Sequence, residues 1–215
     1  MLDVKHNAND ELLMGYAAGA LPEAFDLVVA SHLSLSAESQ MRLENFESIG
    51  GAIMDKEEPA AMADDALASI LDRLDEPIEP NKVKAKASNS VFPTALQAYV
   101  GSDPDHVKWS SIGMGVKQHI ISTQGDATVR LLKIPAGSAV PDHGHRGTEL
   151  TLVLQGAFND EFDRFARGDL EIATEEDVHT PIAEEGEDCI CLAATDAPLK
   201  FNSPIVRLLQ PFFKI

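Results

Sequence analysis

The spacing of apolar residues changes from one end of the chain to the other. Over residues 1–80 they recur at intervals of three and four, as amphipathic helices require. Leu12, Leu13, Tyr16 and Ala17 share one face of a first helix, which Asn7 or Asn9 can cap and Gly19 ends. After Pro22 a second helix carries Phe25, Val28, Val29, His32 and Leu33, which puts His32 on or beside the apolar stripe. A third starts near Ser36, a residue suited to an N-cap, and runs through Met41, Leu43, Phe46, Ile49 and Ile53. Gly50 and Gly51 weaken its end. The fourth lies within ADDALASILDRLDE, where Leu67, Ile70, Leu71 and Leu74 form an i, i+3, i+4, i+7 stripe with acids opposite.

Residues 81–90, NKVKAKASNS, carry no apolar period and follow EPIEP, which predicts a flexible linker. Beyond it the segments ATVRLLKIP, TELTLVLQGAF, DLEIA, DCICLAAT and LKFNS are short, rich in β-branched and aromatic residues, and separated by turn residues. They predict a β-sandwich or barrel. The expected fold class is α+β in two domains: an all-α helical bundle over 1–80, a linker over 81–92, and an all-β jelly-roll barrel over 93–215.

Charge adds a constraint on partners. The net charge is −18, and residues 1–80 alone hold 17 Asp and Glu against 4 Lys and Arg, a net of −13. Direct binding to a nucleic-acid backbone needs clustered cations and is excluded on this count, whereas a basic protein partner is well matched. The start MLDVKHNANDELL lacks the basic, apolar form of a signal peptide, and no long apolar run follows, so a cytoplasmic protein without membrane contact is expected. The two cysteines, Cys189 and Cys191, sit one residue apart on an extended segment; they face the same way but are poorly placed to bridge each other. Alternate thiols in an apolar strand are ordinarily inert core groups.

The strongest chemical signal lies in residues 137–156, GSAVPDHGHRGTELTLVLQG. His143 and His145 project to one side of an extended chain, and Glu149 follows at the start of an apolar strand that ends in Gly156. His179, just before Pro181, supplies a fourth ligand. A solvated-loop reading of the histidines leaves the carboxylate inside ELTLVL unexplained. Three imidazoles and a carboxylate suit zinc and other first-row divalent metals alike. His106 and His119 lie outside this pattern and read as surface or loop residues.

The pattern H-x-H-x3-E-x6-G, followed by the turn at Gly168 and the later His179, resembles the two motifs of the cupin superfamily. With YAAGAL, LVVASHLSLS, VPDHGHRGTELTLVLQGAF, CICLAATDAPLKFNS and the ending QPFFKI, nearly the whole chain resembles the zinc-type anti-sigma factors of the ChrR type. The resemblance implies a helical domain that wedges between the two DNA-binding domains of an extracytoplasmic-function sigma factor. It also implies zinc as the cupin metal, and a cupin needed for release under oxidative stress, including singlet oxygen and organic hydroperoxides. Cys189 and Cys191 then become candidate oxidant-sensing groups, and the acidic domain would steer a basic partner. Leu67, Ile70, Leu71 and Leu74 form a candidate helix-in-groove element for that partner, or pack onto their own domain.

The family's helical domain also binds zinc through an upstream His and an H-x3-C-x2-C motif. The matching positions here are His6, His32, Ser36 and Ser39. Serine hydroxyls are poor zinc ligands beside thiolates, so this site is expected to be weak or empty unless a neighbour such as Glu38 substitutes, and His32 then reads equally well as a packed, satisfied histidine. The rival class is a metal-dependent cupin enzyme, a dioxygenase or isomerase, but no further acid or base residue is placed by motif.

Overall fold

The computed structural model describes residues 3–74, 90–101, 104–141, 143–198 and 200–201. Most of the expected linker, residues 81–89, and the ending QPFFKI lie outside the described residues.

The helices form where capping and periodicity place them. Helix α1 (Asp10–Ala17) is capped by Asn9, whose side chain accepts the Leu12 N–H at 2.9 Å, and Gly19 leaves it at φ 63°. Helix α2 (Glu23–Leu33) starts after Pro22 and is buried almost all round. Helix α3 (Ala37–Met54) is capped by Ser36, which accepts the Ser39 N–H at 3.1 Å. Helix α4 (Ala66–Leu74) buries none of its residues. Helix α5 (Thr94–Val100), between Pro93 and Gly101, was not expected from the sequence. It falls at the start of the region assigned to strands and packs against α2.

The strands are β1 (Ser110–Gly113), β2 (Val116–Ile121), β3 (Thr128–Ile134), β4 (His143–Gly144), β5 (Glu149–Gln155), β6 (Ala157–Asn159), β7 (Arg164–Ala166), β8 (Leu170–Ala173), β9 (Val178–His179), β10 (Ile182–Ala183), β11 (Cys189–Thr195) and β12 (Lys200–Phe201). Six of them form one antiparallel sheet in the order β1-β2-β3-β11-β5-β8. Two three-stranded sheets, β10-β6-β7 and β12-β4-β9, complete the strand-rich half.

The two faces of the large sheet are both covered, which explains the near-continuous apolar runs in β5 and β11. On one face Val129 and Leu131, Leu150, Leu152 and Leu154, Leu170, and Ile190, Leu192 and Ala194 join a single core with Leu13, Phe25, Val28, Val29 and Leu96 of the helices. Alternate residues turn inward to a cavity. Helix α2 lies over β3, β5 and β11, so the helical and strand-rich halves share one core. The two-domain α+β layout holds, and helix α2 adds to it by burying its second face against the sheet, so the two domains meet along that core. The expected stripe on α3 divides: Leu43 is buried and Phe46 partly so, while Met41, Ile49 and Ile53 face solvent.

Candidate metal centre

Strands β4, β5 and β9, with the residue that follows β4, bring together the four residues singled out in the sequence. Antiparallel pairing of β4 with β9 sets His143 directly opposite His179, and β5 presents Glu149 at its first position. His143, His145 and His179 are buried, and their ligand atoms lie within 4.8 Å of one another. Glu149 Oε2 stands 4.0 Å from His143 Nε2 and 2.9 Å from His145 Nδ1.

Hydrogen bonds fix which ring nitrogens face inward. His143 Nδ1 donates to the Pro141 carbonyl at 2.9 Å. His179 Nδ1 lies 2.8 Å from Glu171 Oε1 and 3.2 Å from Asp160 Oδ2, acceptors that hold its proton outward. The two Nε2 atoms are then left 3.3 Å apart, lone pair towards lone pair, a contact that a proton or a cation between them relieves. His145 Nε2 is buried with no hydrogen-bond partner, and His145 Nδ1 and Glu149 Oε2, also buried, have only each other at 2.9 Å. Buried polar atoms left this way are costly unless something binds them, and this donor set fits a first-row divalent metal.

The electrostatics agree with that fit. Burial alone would raise the Glu149 carboxyl, but the imidazoles of His145, His143 and His179 hold it below its ordinary value. Burial lowers His143. It opposes charge on His179 too, yet Glu171, helped by Asp160 and Glu149, pushes that histidine up to about 9. Glu171 itself is raised by burial.

A cavity of about 280 Å³ leads to these groups. Ile112, Met114, Val140 and Pro181 form apolar parts of its wall, and His143, Glu149, His179 and Arg130 also line it. Arg130 is buried and donates to Gln118 Oε1 at 3.2 Å and Thr128 Oγ1 at 3.3 Å. Arg130, Glu171 and Asp160 join the site without belonging to a motif in the sequence. For the first two the signal was available: each is a charge inside an apolar strand, as Glu149 is. Cys191 reaches the cavity while its neighbour Cys189 lies 3.5 Å away, sulfur to sulfur; both are buried, and the hydrogen bond to Cys189 with burial keeps the Cys191 thiol protonated well above the usual range. His106 is exposed, and His119 is partly exposed with Nδ1 3.1 Å from the Lys108 carbonyl.

At the N-terminal positions the picture is different. His32 is fully buried; its Nε2 receives the Ala8 N–H at 3.2 Å and the Ser39 hydroxyl at 2.8 Å, while Nδ1 meets the Gly168 carbonyl at 3.0 Å. Ser36 donates to Asn7 Oδ1 at 2.5 Å. His6 instead pairs with Asp163 at 3.1 Å, and Glu38 is exposed. A satisfied hydrogen-bond network therefore occupies the positions of His32, Ser36 and Ser39. Burial pushes His32 down to about 4, outweighing the Gly168 hydrogen bond and the Asp169 charge.

A β-barrel that gathers three imidazoles and a carboxylate on its inward face is a cupin able to bind a metal. Residues 97–198 match the ChrR cupin-like domain. Across 214 residues, the whole of both chains, the sequence is 52% identical to the anti-sigma-E factor ChrR of Cereibacter sphaeroides. The chain belongs to the ChrR family of anti-sigma factors. Its fold matches a structure of Rhodobacter sphaeroides SigE in complex with the anti-sigma ChrR at a TM-score of 0.80 and 51% identity, covering 90% of this chain and 99% of that one. Among the described residues no helix is long and apolar enough to cross a membrane.

Proposed function

We propose that the protein is an anti-sigma factor that binds and inhibits an extracytoplasmic-function sigma factor, and that its cupin holds zinc and is needed for release under oxidative stress. The full-length likeness to an anti-sigma-E factor carries this reading. A regulatory family also explains why a metal-competent barrel is attached to an acidic helical module, which an enzyme does not require.

Within this reading the roles divide by face. The metal is held by His143, His145, Glu149 and His179 inside the barrel; as a Lewis acid it would polarise an oxygen ligand that enters through the cavity. The sigma factor engages the helical module, where Leu67, Ile70, Leu71 and Leu74 of α4 are 68%, 53%, 52% and 71% exposed. Four apolar side chains on one unburied stripe support a helix-in-groove contact, and the acids around them steer a basic partner. His6 and His32 are not needed as zinc ligands, and the domain limits are taken as 1–80 and 93–215 joined through 81–92. Co-purification with a basic sigma factor, together with loss of sigma-dependent transcription in a reconstituted assay, tests the proposal; turnover of a small molecule without sigma binding would replace it.

A further inference from the structure

Strand β8 and the turn before it touch both halves of the molecule with consecutive residues. On the inward face Glu171 Oε1 holds His179 Nδ1 at 2.8 Å. On the outward face Leu170 is buried in the core shared with the helices, and Ile172 packs against it. Immediately upstream, Asp169 Oδ1 accepts the backbone N–H groups of Lys5 at 2.7 Å and His6 at 3.0 Å, while Oδ2 accepts that of Ala166 at 2.8 Å. The Leu170 N–H donates to the His6 carbonyl at 3.0 Å, and the Gly168 carbonyl accepts from His32 Nδ1 at 3.0 Å. His32 in turn receives the Ala8 N–H at 3.2 Å.

We infer that β8, with the Gly168–Asp169 turn, couples occupancy of the metal site to the N-terminal strap of residues 5–8 and through it to the helical module. The inference rests on the proposed metal reading and adds a route to it. A strand whose alternate residues face the metal ring and the helix core moves both contacts when either one moves, because a close-packed core leaves little slack between them. The His179 ring would have anchors on both sides, the metal through Nε2, and Glu171 with Asp160 through Nδ1. Losing the first leaves Glu171 and Asp160 holding a ring free to reorient, and the change reaches Asp169 two residues upstream of Glu171, at the turn that leads into the strand. Asp169 meets the strap through the backbone N–H groups of Lys5 and His6, with the His6 ring nitrogen Nδ1 farther off at 3.6 Å.

The test is hydrogen exchange on the full-length chain, zinc-loaded and then stripped by a chelator, with zinc content measured in each sample. Residues 3–12 should exchange at least about fivefold faster after stripping, the low end of ordinary site-to-site coupling, while β2, towards the opposite edge of the sheet, changes much less. Asp169→Ala should keep its zinc and reduce the difference at Ala8 below about twofold. Lys5→Pro, which removes one donor to Asp169 without touching the barrel, should reduce it in part and guards against misfolding of the first variant. Uniform acceleration across the chain would mean that zinc only stabilises the fold, and would overturn the coupling. Zinc bound with unchanged exchange at 3–12 would overturn it too while sparing the metal reading. A wild-type chain that takes up no zinc would remove both.

Discussion

The His32 ring and the Gly168 carbonyl, 136 residues apart in sequence, are joined at 3.0 Å across the boundary between helix α2 and the barrel. Because the Ala8 N–H and the Ser39 hydroxyl both approach Nε2, the ring proton sits on Nδ1 and points at Gly168. The imidazole is neutral, buried and fully satisfied, which makes it a structural residue with a pH signature.

His32 has its folded pKa lowered to about 4 from the ordinary 6.5. Below pH 6.5 the unfolded chain binds the proton and the folded one does not, so this contribution is present above 6.5 and is lost as pH falls towards 4. Between pH 7 and pH 5 the loss is about 2 kcal/mol. Urea unfolding of the wild type and His32→Gln at both pH values should show a pH-dependent difference smaller by about that amount in the variant. Equal pH dependence would mean that His32 takes up its proton at the same pH in the folded and unfolded chains.

Metal analysis should find about one tightly held divalent ion per chain, in the cupin. In Ser36→Cys with Ser39→Cys, the hydrogen-bond network around His32 is replaced by thiolates, and the content should rise to about two. A wild-type content already at two would show that hydroxyls and His6 suffice at the N-terminal positions.

How much of this was legible in the sequence follows from how many neighbours each residue needs. Asn9 and Ser36 cap helices through contacts three residues away, and local spacing revealed both. The ligand set was readable because His143, His145 and Glu149 fall within seven residues and Glu149 interrupts an apolar run. The shared core was not read, although β11 carries its mark: CICLAAT is apolar on both faces, and a strand apolar on both faces needs a cover on each. Asp160 and Asp169 act through partners distant in sequence, and nothing local marks them. Helix α5 was missed because seven residues hold too few turns for a period, even with Pro93 and Gly101 at its ends.

Glu171→Gln should weaken zinc binding about 10- to 100-fold, since Glu171 orients His179 and makes its inward nitrogen a better donor. Competition with a chromophoric chelator measures this directly. An unchanged affinity would assign that orientation to Asp160 alone.

Leu67→Asp or Ile70→Asp should reduce sigma-factor affinity by more than about tenfold, because a carboxylate buried without a partner at an interface centre costs several times what a rim charge contributes. Asp72→Asn on the same helix should change affinity by less than about threefold. Calorimetry with the purified sigma factor decides it, and matching affinities across the three variants would place α4 outside the interface.

The division of work between the barrel and the helices is tested by His143→Ala with His145→Ala. Losing two of four ligands should remove tight metal binding, since most of the coordination energy goes with them. The helix-covered face of the sheet is built from Leu150, Leu152, Ile190 and Leu192, none of which touches the metal groups, so α1, α2 and α3 stay docked and the stripe on α4 stays presented. Inhibition should therefore persist. Release should not, because the oxidant signal would reach the helices only through the metal site and the strand it biases. Transcription from a sigma-dependent promoter, with and without singlet oxygen and at matched protein abundance, should stay low in the variant under both conditions. Normal induction would take the metal site out of the signalling path, and activity without stress would show that the loaded barrel is needed to hold the inhibitory surface in place.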